Sequence, residues 1–233
     1  MTPPISIDGT DITGATIDGT DVQEITVDGD VVFSGGPTII DNFEANLYGN
    51  IGNTLSTYYN GDTNSASLQQ NNVNEGSFAV EFTGNVVELM ATPHPNGQFQ
   101  IGNTYRVDHL TNTAEQSFIY YGVISGTGRD DYTGYRLLLR EDINQLELRE
   151  GTNGSQQTIS STNIPNTIGN WVTFEVTWAT PNTHTINLFD QSNSLLGSIS
   201  GTGSIGTTGT GIGFGMANFG STRSKYWDFA RVV

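Results

Sequence analysis

The chain has 233 residues, with 24 acidic side chains against 8 lysines and arginines, a formal charge of −16, and no cysteine. That balance argues against nucleic acid, whose phosphates need clustered cations, and the absent thiols exclude disulfides, thiolate metal sites and a cysteine nucleophile. Glycine (29 residues), Thr, Asn and Ser are abundant and no stretch keeps a helical period, which is the composition of a turn-rich all-β protein. Lys225 is the only lysine, and an acidic, lysine-poor surface suits a high-salt environment, where screening limits self-repulsion. No apolar run approaches the ~18 residues of a membrane helix, so no membrane insertion is expected. The first residues, MTPPISIDGTD, lack the basic and apolar regions of a secretory signal, so synthesis without an export signal is expected.

The chain opens with a ten-residue repeat: SIDGTDI from Ser6, TIDGTDV from Thr16 and TVDGDVV from Thr26. Each copy sets an Asp-Gly pair (Asp8-Gly9, Asp18-Gly19, Asp28-Gly29) between β-branched residues, the sequence of a tight hairpin turn. Three small hairpins are predicted, too little chain to close a core, so residues 1–36 should anchor on another surface. Ser34-Gly35-Gly36-Pro37 marks a boundary, and 37–233 forms the main domain.

Within that domain EGSFAVEFTG and Val86–Met90 read as strands, followed by GNTYRVDHL and SFIYYGVIS. Tyr135–Glu150 reads as a hairpin: Tyr135, Leu137 and Leu139 alternate with polar residues, Glu141–Asn144 turns, and Leu146 and Leu148 return. Burial fixes Leu139 opposite Leu146 and Leu137 opposite Leu148, because a one-residue slip would expose every leucine. The opposite face, with Arg136, Arg140, Glu147 and Arg149, is expected to be a solvent-facing charge ladder. Trp171–Trp178 puts Val172, Phe174, Val176 and Trp178 on one face. THTINLFD, GIGFGMANF and KYWDFARVV complete about ten to fourteen strands of an antiparallel two-sheet β-sandwich. The low-complexity stretch Ser198–Gly213 is expected to meander along an edge.

The order DNFE, NEGSFAVEF, GNTYRVD, GYRLLLREDINQLELRE, WVTFEVTW, TINLFDQSNSLLGSIS, GIGFGM and YWDFARVV resembles the concanavalin A-like (laminin G-like) jelly roll. The variant it most resembles occurs in secreted and viral proteins of halophilic archaea, and the likeness spans about four-fifths of the chain. The leading DGTDV…ITVDGDVVF segment resembles N-terminal pieces of haloarchaeal virus structural proteins. Glucanases of this fold carry an E-x-D-x-x-E run; none is present, and Glu147 and Glu150 fall on opposite faces of their strand, so an enzyme is not expected.

Sugar recognition needs exposed rings flanked by polar groups. Tyr120, Tyr121, Tyr132 and Tyr135 with Arg136 and Arg140 form one candidate cluster, and Tyr58 and Tyr59 with Asn60 a second. Trp171, Trp178 and Trp227 read as core fillers, and His94, His109 and His184 as loop or surface residues. No cofactor is required by the sequence; a structural calcium would draw on Asp130 and Asp131, or on Asp41 and Asp228 near the first and last strands, which such folds pair. The two resemblances imply a virion structural protein, a spike, turret or fibre, anchored to other virion proteins by 1–36. Its lectin-like domain would be exposed on the particle as a homo-oligomer facing host-surface glycans. The alternatives are a carbohydrate-binding module of a secreted haloarchaeal protein and, behind it, a glycoside hydrolase.

Overall fold

The computed structural model describes residues 43, 59–91, 99–111, 115–217 and 223–233, with the strand backbone of six short segments between 6 and 34 and of 38–41. The chain divides into two compact units, Met1–Thr38 with Val233, and Ile39–Val232. The first contains three antiparallel hairpins: β1 (Ser6–Ile7) with β2 (Thr10–Asp11), β3 (Thr16–Ile17) with β4 (Thr20–Asp21), and β5 (Glu24–Val27) with β6 (Asp30–Ser34). Ile7 faces Thr10, Ile17 faces Thr20 and Val27 faces Asp30, so two residues separate the arms of each hairpin. The three Asp-Gly pairs themselves lie outside the described residues.

The second unit is an antiparallel β-sandwich. Its strands are β7 (Thr38–Asp41), β8 (Asn60–Gly61), β9 (Ala66–Gln69), β10 (Ala79–Gly84), β11 (Val86–Ala91), β12 (Thr104–Thr111), β13 (Gln116–Ser125) and β14 (Thr133–Arg140). They continue with β15 (Gln145–Thr152), β16 (Ser155–Asn163), β17 (Asn170–Ala179), β18 (Thr183–Asp190), β19 (Leu195–Thr202), β20 (Gly211–Ala217) and β21 (Arg223–Val232). The eight-stranded sheet runs β19-β18-β17-β12-β21-β10-β9, with β7 also paired to β21; the seven-stranded sheet runs β16-β15-β14-β13-β20-β11-β8. Fifteen strands among the described residues slightly exceed the expected number, because two-residue β8 carries too little sequence to be recognised. The low-complexity stretch divides: β19 is an edge, but β20 sits inside its sheet.

Leu137 pairs with Leu148 and Leu139 with Leu146, as alternation requires, and all four are fully buried. Facing them from the other sheet are Phe174, Val176, Trp178, Ile186, Leu188 and Trp227. Burying such side chains is worth ~1.5–3 kcal/mol each, so register and fold are set together. Gly122, at φ +57°, crosses over Trp178; a Cβ there would come within 2.7 Å of the indole. Asn182 ties this region by accepting from Trp178 Nε1 (2.7 Å) and donating to Tyr135 Oη (2.7 Å) and the Ile205 carbonyl (2.8 Å).

His109 and His184 are fully buried, which corrects their assignment to loops; His94 lies outside the described residues. Sequence alternation places both on the inward face, but polar side chains there are read as exposed unless a partner is visible. The partners are remote in sequence. Lys225 Nζ donates to Glu141 Oε1 (2.7 Å) and Ser117 Oγ (3.0 Å), Ser117 donates to Glu141 (2.7 Å), and His109 Nε2 lies 2.8 Å from Ser117 Oγ. A Ser–His–carboxylate grouping results, but Ser117, His109 and Lys225 have no exposed surface and Glu141 is 3% exposed, so it cross-links the sheets from within. Burial lowers Lys225 against the opposing pull of Glu141, and burial lowers His109 despite its bond to Glu141.

Burial holds His184 down at about 4, so it enters the fold neutral. Unfolded histidine takes up a proton near ~6.5, so this contribution to stability is complete above that pH and is lost as the pH falls through the folded value. For the ion pair, Lys225→Met strands a buried carboxylate and should cost ~3–5 kcal/mol in denaturant unfolding, whereas Lys225→Met with Glu141→Leu should recover most of it. Equal losses in the single and double variants would contradict the pairing.

Candidate functional site

Sequence parity decides which face of β17 meets solvent. Val172, Phe174, Val176 and Trp178 enter the core, so Trp171, Thr173 and Glu175 point outward from the eight-stranded sheet. Across the ladder to β12, Trp171 faces Leu110, Thr173 faces Asp108, and Glu175 faces Arg106. Trp171 is half-buried, with polar residues around it. Two adjoining depressions share Trp171, Asp190 and Gln191. One, of ≈ 380 Å³, adds Asn166, Thr167, Asn170, Ser192 and Leu196. The other, of ≈ 250 Å³, adds Asn74, Glu75, Arg106, Asn193 and Arg231. An indole at the junction of one depression lined mainly by amides and hydroxyls and a second lined by amides and paired charges can stack on an apolar sugar face while its neighbours take hydroxyl hydrogen bonds.

The groove is held open from below. Asp108, 1% exposed, accepts from Thr173 Oγ1 (2.6 Å), Asn74 Nδ2 (3.0 Å) and the Arg231 guanidinium (3.3 Å). Asp228 is fully buried and its Oδ2 accepts the backbone N–H groups of Asn74 (2.9 Å) and Glu75 (3.0 Å). Arg106 pairs with Glu175 at 2.7 Å, and Arg231 reaches Glu75 at 3.5 Å. On the far side Asp190 Oδ1 accepts the Ser192 hydroxyl (2.7 Å) and the N–H groups of Ser194 (2.9 Å) and Ser192 (2.8 Å), shaping the β18–β19 turn; these bonds, the hydroxyl's first, hold its carboxyl below the usual value. The arginines of the groove are thus neutralised by the protein itself.

Burial pushes Asp228 up to about 7 against the pull of its two N–H donors, with Asp108 and Glu75 adding repulsion. Burial also raises Glu75, opposed by Arg231.

The sequence-derived clusters lie elsewhere. Tyr121 is in the inter-sheet core, its ring 5.9 Å from Trp178 and its hydroxyl 3.0 Å from His184 Nδ1. Tyr132 and Arg136 share a second cluster on the outer face of the seven-stranded sheet with Met90, Phe118, Tyr120 and Leu138. The Arg136 guanidinium lies 4.7 Å over Phe118, and both Tyr132 and Arg136 are buried. Arg140 is paired with Glu147 (3.4 Å) and Asp142 (3.2 Å). Tyr59 is 2% exposed and packs on Phe214; Tyr58 lies outside the described residues. Burial therefore removes Tyr121, Tyr132 and Tyr59 as stacking platforms, and the ladder of Arg136, Arg140, Glu147 and Arg149 is only partly solvent-facing because Arg136 and Glu147 are covered. Trp171 was missed as a platform, yet the alternation that buries Val172 is the signal that turns it outward.

The two aspartate pairs offered for calcium lie in different sheets. Asp130 and Asp131 sit in the β13–β14 connection of one sheet, whereas Asp41 and Asp228 belong to paired β7 and β21 of the other. Asp131 instead caps the N–H groups of Thr127 (2.8 Å) and Gly128 (2.9 Å), and the Asp41 carboxyl lies outside the described residues. Among the described residues no three His, Asp or Glu side chains are grouped to hold a metal ion.

Two antiparallel sheets closed over one core, with the first and last strands paired in the larger sheet, define a lectin-like, concanavalin A-like jelly roll. The VIP36 exoplasmic/lumenal domain in its Ca2+/Man3GlcNAc-bound form superposes with a TM-score of 0.53 at 11% identity, over 75% of this chain and 82% of that one. The legume lectin-like domain from Entamoeba histolytica gives 0.50 at 10% identity, over 76% and 90%. A mixed-linkage-glucan GH16 from Bacteroides ovatus, in complex with a product, gives 0.49 at 11% identity, over 76% and 94%. No protein-family model and no curated protein sequence matches the chain. At 10–11% identity the first two likenesses establish the fold.

The raised Asp228 sets a pH test. A folded value of about 7 above the unfolded 3.8 means its contribution is present below 3.8 and lost as pH rises through 7. The stability of Asp228→Asn relative to the parent should therefore increase between these limits and level off above them, read from denaturation midpoints. A difference flat with pH would contradict the assignment.

Proposed function

We propose that the sandwich is a glycan-binding attachment module whose binding face is the Trp171 groove, and that residues 1–36 mount it on the particle of a virus infecting a halophilic host. The observation that carries the first part is the half-buried indole between two polar depressions, on a fold shared with lectins. Binding without chemistry is favoured because the carboxylates of the groove lining are engaged by the protein itself, Asp190 by the N–H groups of its own turn and Glu75 by Arg231, while Asp108 and Asp228 lie buried beneath. The particle assignment is supported by the hairpin repeat, the charge of −16 with one lysine, and the resemblances described for the sequence. A secreted adhesion module would use the same groove; particle composition separates the two.

Trp171→Ala should weaken glycan capture at molar salt by at least ~10-fold, or ~1.4 kcal/mol, while Trp171→Phe keeps part of it and chelation of divalent cations changes nothing. Equal capture by parent and Trp171→Ala would refute the site. For the particle assignment, the full chain should be a stoichiometric component of purified virions, and a version beginning at Pro37 should be lost from them although it still folds. Normal loading of that shortened version would remove the anchoring role from 1–36.

A further inference from the structure

Lysine and arginine number only 8 in this chain, yet two arginines, Arg106 and Arg231, line the second depression of the Trp171 groove. Taken alone they would mark a site for sugars bearing carboxylate or sulfate, because a guanidinium fork matches such groups. Their partners decide otherwise. Arg106 donates from Nε (2.9 Å) and Nη2 (2.7 Å) to one oxygen, Glu175 Oε2, while Glu175 Oε1 accepts the Asn187 amide at 3.1 Å. The same guanidinium lies 5.6 Å over the Phe189 ring. Arg231 stands between two acids, with Nη1 3.3 Å from Asp108 and Nη2 3.5 Å from Glu75.

Counting charge along the groove gives no positive surplus. In the second depression Glu75 and Asp190 balance Arg106 and Arg231, and Glu175 and Asp108 add two acidic groups behind the arginines. The first depression has a single charged residue, Asp190. To reach Arg106 an acidic sugar must displace Glu175, which is 18% exposed and would be left without its cation. Hydroxyls make no such demand. An amide side chain offers both a donor and an acceptor, as a hydroxyl does, and Asn166, Asn170, Gln191 and Asn193 supply amides around Trp171. The arginines serve the walls instead: Arg106 locks β12 to β17, and Arg231 ties β21 to the segment before β10.

We infer that the groove selects uncharged glycans, and that Glu175 and Glu75 set this selectivity as built-in counter-charges that close Arg106 and Arg231 to sulfate and carboxylate. The inference rests on the reading of the Trp171 groove as a glycan site and adds which glycans it takes.

The full chain can be tested on immobilised dextran, mannan and galactan, and on dextran sulfate and polygalacturonate. Molar salt is the informative condition, because a screening length of ~3 Å removes the repulsion due to the overall charge of −16 and leaves contact chemistry. The parent should be captured by an uncharged polymer in a Trp171-dependent way, and far less by the acidic ones. Glu175→Gln should raise the acidic-to-neutral capture ratio by at least ~10-fold. Glu75→Gln should raise it less, because Asp108 still holds Arg231. Adding Arg106→Gln to Glu175→Gln should return the ratio to the parent's, which a loosened fold would not do. Trp171-dependent capture of the parent by the acidic polymers, or a ratio that Glu175→Gln leaves unchanged, would overturn the selectivity while leaving the groove a glycan site. Capture indifferent to Trp171→Ala, or none on any polymer, would remove the groove reading itself and this inference with it.

Discussion

The period-two alternation of the β-strand is the constraint on which the molecule rests. Each strand has two faces, and closing a sandwich commits one of them to apolar contact before any function is added. In β14 and β15 that commitment fixes the leucine register; in β17 it buries Val172 through Trp178. What remains for recognition is what the same alternation turns outward: Trp171, Thr173 and Glu175, bracketed by the cross-strand residues of β12. The binding face is a by-product of the core pattern.

The interior is less oily than the alternation implies. Lys225, Glu141, Ser117 and His109 form a sealed network, and Asp108 and Asp228 are buried under the groove residues they hold. These groups respond to acid in opposite directions. Falling pH costs the fold through His184, which must take a proton on unfolding, and favours it through Asp228, which keeps one to about 7 when folded. Their pH windows overlap, so the measured pH dependence of the parent is a partial cancellation, and single substitutions expose each contribution.

The architecture was legible because hydrophobic alternation is a local property. Both the leucine pairing and the Glu147/Glu150 face assignment follow from counting residues, and the structure keeps them. The site was not legible for the opposite reason. Whether a tyrosine is a platform or a filler depends on strands far away in sequence: Tyr121 is enclosed by Trp178 and His184, and Tyr132 packs beside Arg136 and Tyr120. The candidate clusters gathered aromatics by proximity along the chain. The groove instead collects Asn74, Arg106, Trp171, Gln191 and Arg231, from five separate segments, which no local pattern joins. Its one local trace, an indole out of phase with its strand's buried series, becomes meaningful once the strand is known to have a covered side.

The position of the single lysine has a practical corollary. Lys225 is the only side-chain amine, and it has no exposed surface. Reagents that acylate amines therefore find no side-chain target in the folded sandwich, so surface coupling or cross-linking through lysine leaves this unit untouched. The same reaction becomes a reporter of opening: acylation at Lys225 records how often the two sheets part, a clock carried in the native sequence without an introduced label.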